Sequence, residues 1–114
     1  MQIHRRALLA LPLAAVLSHA HAQKLPGGKA VRIVVPYAAG GTTDIMARQV
    51  AARLAEVLGQ PVVVENKPGA GTLVAAEAVA RAAPDGHTLL VTTDATMTIN
   101  PHLYSKLPYD PVKD

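Results

Sequence analysis

The chain has 114 residues, enough for one modest domain, and no cysteine, which excludes disulfides, thiolate chemistry and cysteine-based metal sites. Its net charge of +3 includes Arg5 and Arg6, the other Lys and Arg residues are scattered, and only 3% of residues are aromatic, so nucleic-acid binding is not expected. The five histidines show no ligand spacing, and the sequence predicts neither a metal site nor another cofactor.

Residues 1–22 have the pattern of a secretory signal peptide. A basic pair, Arg5 and Arg6, precedes an apolar stretch that is too short to span a membrane, and Ala20-His21-Ala22 forms a small-x-small cleavage site. We therefore expect export to the periplasm and a mature chain that begins at Gln23. The arginine pair is compatible with the twin-arginine route, and ordinary Sec export fits equally well.

The stretch VRIVVPYAAGGTTD, residues 31–44, predicts a buried strand followed by a glycine loop. Its first five residues are almost all apolar and β-branched, which suits a strand buried on both faces. Pro36 ends the strand because proline cannot donate a hydrogen bond to a sheet. Gly40 and Gly41 allow backbone conformations that other residues reach only at a cost in energy.

The end of the same stretch predicts the start of a helix. Thr42 or Thr43 is a suitable N-cap, and Asp44 places negative charge in the first turn, where the helix dipole favours it. A strand, a glycine loop and a helix N-terminus in this order can bind an anion. The same pattern also serves as a plain connection between strand and helix, and the sequence leaves both interpretations open.

The rest of the chain continues the alternation of strands and helices. The first helix is predicted to end at Leu58, before Gly59. Its sheet-facing side is predicted from large apolar residues at helical spacing: Met46, Val50, Leu54, Val57 and Leu58. A strand, a helix, a strand, a short helix and a turn are predicted to follow, at residues 61–65, 72–83, 87–93, 95–99 and 100–101.

This β-α-β-α-β order with short connections predicts an α/β fold with a parallel sheet. We expect strand order 2-1-3, with residues 31–35 in the middle. The carboxyl ends of the strands then meet at one edge, where ligands of such sheets bind. The predicted ligand-binding residues lie in the loops of that edge: Tyr37, Ala39, Gly40, Gly41, Thr42, Thr43, Asp44, Thr92, Thr93 and Thr96.

These residues offer backbone N–H groups and hydroxyls, which can hold a small carboxylate without acting on it chemically. Asp44 either supports the helix start or faces an amino or hydroxyl group of the ligand. No catalytic residue is predicted, since no pattern places His87 or His102 near a nucleophile.

A second glycine loop, Gly69-Ala70-Gly71, follows a strand and opens a helix as in a dinucleotide-binding site. Asp94 also stands near the position of a ribose-binding acid. Val74, however, occupies the position of the third glycine, where close packing of helix and strand is needed. Exported proteins also rarely meet NAD, so a nucleotide site is the weaker interpretation.

Four segments resemble one known family in order and spacing: RIVVPYAAGGTTD, LGQPVVVENKPGAG, APDGHTLLVTT and INPHLYSKLPYDPVKD. The family is that of the Bug receptors, the extracytoplasmic substrate-binding proteins of tripartite tricarboxylate transporters. The resemblance implies a type II periplasmic-binding-protein fold of two lobes that close on a small organic acid. It further implies a receptor, not an enzyme, that delivers its ligand to a membrane permease.

The family's two ligand loops map onto residues 37–44 and 92–96 of this chain. The family often has Phe where this chain has Tyr37. Its members are far longer, so the resemblance implies that residues 23–114 form the N-terminal part of the first lobe, with that lobe incomplete and the second lobe absent.

Two alternatives to a receptor remain open from the sequence. One is a fragment of an exported α/β enzyme or nucleotide-binding domain, with its catalytic residues beyond Asp114. The other is a non-functional truncated product.

Overall fold

Residues 25–114 are described by a computed structural model, and the predicted signal peptide lies outside them. In this part of the chain, β1 (Val31–Val35), α1 (Thr42–Leu58), β2 (Val62–Asn66), α2 (Leu73–Ala80), β3 (Thr88–Leu90) and α3 (Asn100–Leu103) follow one another. A 3-10 turn, Ala70–Thr72, leads into α2, and a π-helical turn, Ala95–Ile99, leads into α3. No helix of residues 25–114 is long and apolar enough to cross a membrane.

The three strands form one parallel sheet in the order β2-β1-β3. In the register, Val31 is opposite Val62, and Arg32 is opposite Thr88. The predicted α/β class and the strand order 2-1-3 are therefore confirmed. This order follows from the two helical crossovers, which place β2 and β3 on opposite sides of β1.

The central strand supplies the bulkiest buried apolar side chains of the described residues. Val31, Ile33, Val34 and Val35 are at most 2% exposed, in agreement with the prediction of a strand buried on both faces. Ile33 and Val35 pack against α1 through two alanines, Ala47 and Ala51.

The prediction for the packing face of α1 is wrong for three of its five residues. Met46, Val50 and Val57 are 60%, 56% and 57% exposed, whereas Ala47 and Ala51 are buried. The alanines allow the helix backbone to approach β1 closely, so the small side chains define the interface. A pattern that favours large apolar residues does not detect a face built from alanines.

Several predicted boundaries also differ from the structure. The N-cap of α1 is Gly41, in extended conformation and without a side-chain cap, so the predicted threonine cap is wrong. Gly59 ends α1 as predicted, with a left-handed φ of 60°. β3 is shorter than the seven residues predicted, because its partner β1 ends at Val35, and the last bond between the two runs from Val91 N–H to Val34 O.

Two helices depart from the predicted pattern further along the chain. α2 ends at Ala80 rather than near Ala83, with the Ala82 N–H bonded to the carbonyl of Val79 in a tighter turn. The predicted turn at residues 100–101 is the start of α3, in which Pro101 occupies the first turn, where its missing N–H is not needed.

Candidate functional site

A cleft of about 390 Å³ lies at the edge of the sheet where the strands end. We call it the edge cleft. Its walls are the loop after β1 (residues 36–38), the loop before α2 (68–72) and four residues of the segment 95–104 that carries the π-helical turn and α3. None of the lining side chains is charged.

Asp44 fixes the loop between β1 and α1 instead of standing open to a ligand. It is only 3% exposed, and its Oδ2 atom accepts hydrogen bonds from the Gly40 N–H at 2.8 Å and from Arg48 Nε at 3.0 Å. Its Oδ1 atom accepts a bond from Asn66 Nδ2 at 2.9 Å. Of the two interpretations of Asp44, the structure therefore favours support of the helix start.

Asn66, at the end of β2, connects this network to the wall of the cleft. Its Nδ2 group also donates to the carbonyl oxygen of Tyr37 at 3.0 Å, and its Oδ1 atom accepts a bond from Arg48 at 3.2 Å. The loop after β1 is thus tied to the neighbouring strand by a side chain that is distant in sequence.

The same hydrogen bonds determine the acidity of Asp44. The bond from Arg48 is the largest cause, followed by the bonds from Gly40 and Asn66, and together they lower the pKa of the Asp44 carboxyl from 3.8 to about 2. Asp44 therefore stays ionised in the folded chain at any ordinary pH.

This pKa predicts a loss of folding stability in acid. Since the folded pKa is lower than the unfolded one, the stabilisation is complete above about pH 5 and is lost as the pH falls through the interval from 3.8 to about 2. Urea unfolding from pH 6 to pH 2 should show the stability of wild type and of Asp44→Asn converging at low pH. The comparison isolates Asp44 from other carboxyls with lowered pKa values, such as Asp85. Parallel pH curves for the two proteins would contradict the assignment.

The sequence predicts that both Gly40 and Gly41 adopt backbone conformations that favour glycine. The structure shows such a conformation at Gly40 and not at Gly41. Gly40 has a φ of 87°, which residues with a Cβ rarely adopt, and Gly41 has an extended backbone with a φ of −76°. The Gly40 N–H is already bonded to Asp44. One predicted anion donor of this loop therefore binds a carboxylate of the chain itself.

The predicted site residues are distributed over several environments. Tyr37 lines the edge cleft, and its hydroxyl is 2.9 Å from Thr93 Oγ1. This hydrogen bond connects the loop after β1 to the loop after β3. The residues that follow, up to the first turn of α1, are exposed or half-buried and are not part of the cleft lining: Ala39, Gly40, Gly41, Thr42 and Thr43. Thr92 and Thr96 line a second groove of about 300 Å³, between α2, β3 and residues 109–114.

Thr96 is buried inside the chain, with 1% of its surface exposed. Its hydroxyl lies 2.8 Å from that of Thr72, and its carbonyl oxygen accepts a bond from the Tyr109 hydroxyl.

The loop before α2 forms a wall that the prediction of ligand residues did not include. Gly69, Ala70, Gly71 and Thr72 have successive φ values of 133°, 46°, 61° and 79°. Positive φ in a β-branched residue such as Thr72 is unfavourable and requires support from its surroundings. Asn100 supplies it, since its Nδ2 group donates to Gly71 O at 2.9 Å and to Thr72 Oγ1 at 3.2 Å.

The nearby cations are occupied by carboxylates of the chain. Arg48 pairs with Asp44, and Lys67 Nζ lies 2.9 Å from Glu65 Oε1, which lowers the pKa of Glu65. In residues 25–114, no group of three or more His, Asp or Glu side chains is placed to hold a metal ion. The edge cleft thus offers neutral hydrogen-bond donors and apolar surface.

His87 lies away from the cleft, at the other end of β3, and is 6% exposed. Its Nδ1 atom is 3.1 Å from Asp85 O, and its Nε2 atom has no hydrogen-bond partner among the described residues. The structure brings no Ser or Thr nucleophile to this ring by any hydrogen bond in that part of the chain.

Similar proteins are known from sequence. A family profile described as "Tripartite tricarboxylate transporter family receptor" matches residues 46–114. A UPF0065 protein of Bordetella pertussis is 48% identical over 107 residues, which cover 94% of this chain and 32% of the relative. The chain spans about a third of the length of the curated relatives it matches.

Solved structures of three similar proteins share the fold. Periplasmic binding protein BugD has a TM-score of 0.68 and 45% identity, over 72% of this chain and 27% of its own. MatC from Rhodopseudomonas palustris with bound malate has a TM-score of 0.68 and 50% identity, over 72% and 28%. R. palustris Rpa4515 with adipate has a TM-score of 0.69 and 42% identity, over 74% and 28%. The predicted fold of the periplasmic-binding-protein type is confirmed.

Proposed function

Because this chain belongs to the tripartite tricarboxylate transporter receptor family, whose profile covers residues 46–114, we propose that it contributes one wall of a carboxylate-binding site in a periplasmic receptor. The ligand is a small organic acid held in the edge cleft. The relatives are solute-binding proteins, a class that is not enzymatic, and we assign no catalytic role to any residue of this chain.

The observation that carries this proposal is the uncharged lining of the edge cleft at the carboxyl ends of parallel strands. Hydrogen bonds from neutral groups can hold a carboxylate without a neighbouring nucleophile or base. Two structural relatives were solved with the dicarboxylates adipate and malate. This combination favours a receptor over the enzyme and nucleotide-binding alternatives.

Within the predicted set of ligand residues, we assign two kinds of role. Tyr37, in the wall of the edge cleft, supplies contacts to the ligand together with Ala39, Gly41, Thr42, Thr43 and Thr93. Asp44, Gly40 and Thr96 hold the loops in place through bonds inside the chain. Thr92 faces the second groove, and we assign it no contact in the edge cleft.

The wider setting follows from the family. We propose that residues 1–22 direct export, that residues 23–114 belong to the first lobe of the receptor, and that the receptor passes its ligand to membrane permease subunits. The periplasmic relatives and the signal-peptide pattern support this setting.

The test is an NMR titration of the ¹⁵N-labelled chain with adipate, malate and the neutral diamide of adipate. We expect either acid, at millimolar concentration, to shift the amide signals of residues 36–41, 69–72 and 95–104, and the diamide to leave them in place. Absence of any shift with both acids, or equal shifts with the diamide, would contradict the proposed function.

A matched pair of variants locates the binding. Ala95→Leu places a larger side chain in the edge cleft and should weaken binding roughly tenfold or more, because it takes up ligand space. Ala52→Leu makes the same change on the exposed side of α1 and should leave binding unchanged. Equal affinities of the two variants would show that the ligand binds outside the edge cleft.

A further inference from the structure

Most polar side chains of the edge cleft are already paired inside the chain. The Tyr37 hydroxyl is bonded to Thr93, and the Thr72 hydroxyl lies within hydrogen-bond distance of Thr96 and Asn100. The amide of Asn100 donates to Gly71 O as well. Each of these groups therefore already has at least one hydrogen-bond partner inside the chain.

Tyr104 is the exception among the three tyrosines of the chain. The Tyr37 and Tyr109 hydroxyls are bonded to Thr93 and to Thr96 O, whereas the Tyr104 hydroxyl has no hydrogen-bond partner among residues 25–114. Tyr104 lines the edge cleft and is 38% exposed.

Tyr104 is bonded to α3 through its backbone, and its hydroxyl lies close to the opposite wall of the cleft. Its backbone N–H donates to Asn100 O at 3.0 Å, which makes Tyr104 the C-cap of α3. A Cβ atom built on Gly71 would lie 3.2 Å from the Tyr104 hydroxyl oxygen, so the phenol lies close above the left-handed turn of the opposite wall. Only a residue without a Cβ leaves normal space for the hydroxyl there.

The surroundings of this hydroxyl suit a carboxylate. A hydrogen bond to a charged acceptor is stronger than one between neutral groups. Pro36, Pro68 and Leu103 supply apolar surface for the carbon chain of the ligand.

We propose that the Tyr104 hydroxyl donates a hydrogen bond to the ligand carboxylate and is thus a binding residue of the edge cleft. The assignment rests on the proposed function, because it takes the ligand to be a carboxylate bound in this cleft. The assignment adds a residue from the wall formed by segment 95–104 to the ligand contacts proposed for the loop after β1.

The experiment compares adipate binding by wild type, Tyr104→Phe and Tyr109→Phe, with affinity from NMR titration and stability from thermal melting. Tyr104→Phe keeps the ring and removes only the hydroxyl, so we expect roughly tenfold weaker adipate binding and an unchanged melting temperature. Tyr109→Phe makes the same chemical change at a hydroxyl bonded to Thr96 O, and should lower the melting temperature while the folded protein keeps its affinity.

The outcomes separate this assignment from the proposed function. If wild type does not bind adipate or malate, the proposed function fails, and the role of Tyr104 fails with it. If wild type binds adipate and Tyr104→Phe binds it equally well, the function stands and the assignment of Tyr104 is overturned. A parallel loss of melting temperature and affinity in Tyr104→Phe would also overturn it, since the hydroxyl would then be structural.

Discussion

Replacement of Asp44 by alanine is expected to release the loop between β1 and α1, and to speed hydrogen exchange at the Gly40 amide roughly 10- to 100-fold. In the folded chain this amide donates to the buried Asp44 carboxylate, which Arg48 and Asn66 also bind. Without the carboxylate, the amide loses its acceptor and Asn66 loses one of the bonds that orient it towards Tyr37. Amide exchange followed by NMR measures the effect.

Glu56→Ala is the matched control for this variant. Glu56 is another carboxylate of α1, but it is exposed and pairs only with the exposed Arg53. Surface ion pairs of this kind contribute little to stability, so the Gly40 amide should exchange at the wild-type rate. Equal exchange in Asp44→Ala and Glu56→Ala would show that the Asp44 network does not hold the loop.

Replacement of Asn100 by alanine is expected to lower the free energy of unfolding by about 2 kcal/mol, the sum of two lost hydrogen bonds at a buried site. Asn100 is 3% exposed and holds the turn at Gly71 and Thr72, where both residues have positive φ. Without this support, Thr72 can relax towards a more favourable conformation, and the wall of the edge cleft moves with it. Urea unfolding at pH 7 measures the change in stability.

His102→Ala provides the comparison within the same helix. His102 is exposed in α3, so its replacement should change the free energy of unfolding by less than about 0.5 kcal/mol. A similar loss for both variants would mean that α3 as a whole, and not the Asn100 side chain, sets the stability of this region.

The two clusters around Asp44 and Asn100 have a common consequence for binding. Each fixes one loop of the edge cleft by hydrogen bonds to residues from another part of the chain. Loops that are ordered before the ligand arrives lose less conformational entropy on binding, which favours affinity. We therefore expect both clusters to support the site by holding its loops in place.

The architecture of the sheet could be predicted from the sequence. The run of β-branched residues in β1 is apolar at almost every position, which is typical of a strand buried on both faces. Gly59 ends α1 by a local backbone preference. The alternation of strands and helices with short connections predicted a parallel sheet, and the observed order places β1 in the middle. Four sequence segments also indicated the receptor family, which the family profile confirms.

The roles of the polar residues and the packing face of α1 depend on contacts between parts of the chain that are distant in sequence. Asp44 is a loop anchor because Asn66, 22 residues away, meets it at the sheet edge. Thr72 adopts positive φ because Asn100, 28 residues away, binds its hydroxyl. Periodicity and propensity describe neighbours along the chain, and they carry no information about such contacts. These side chains acquire their partners only when the parallel strands bring their ends together.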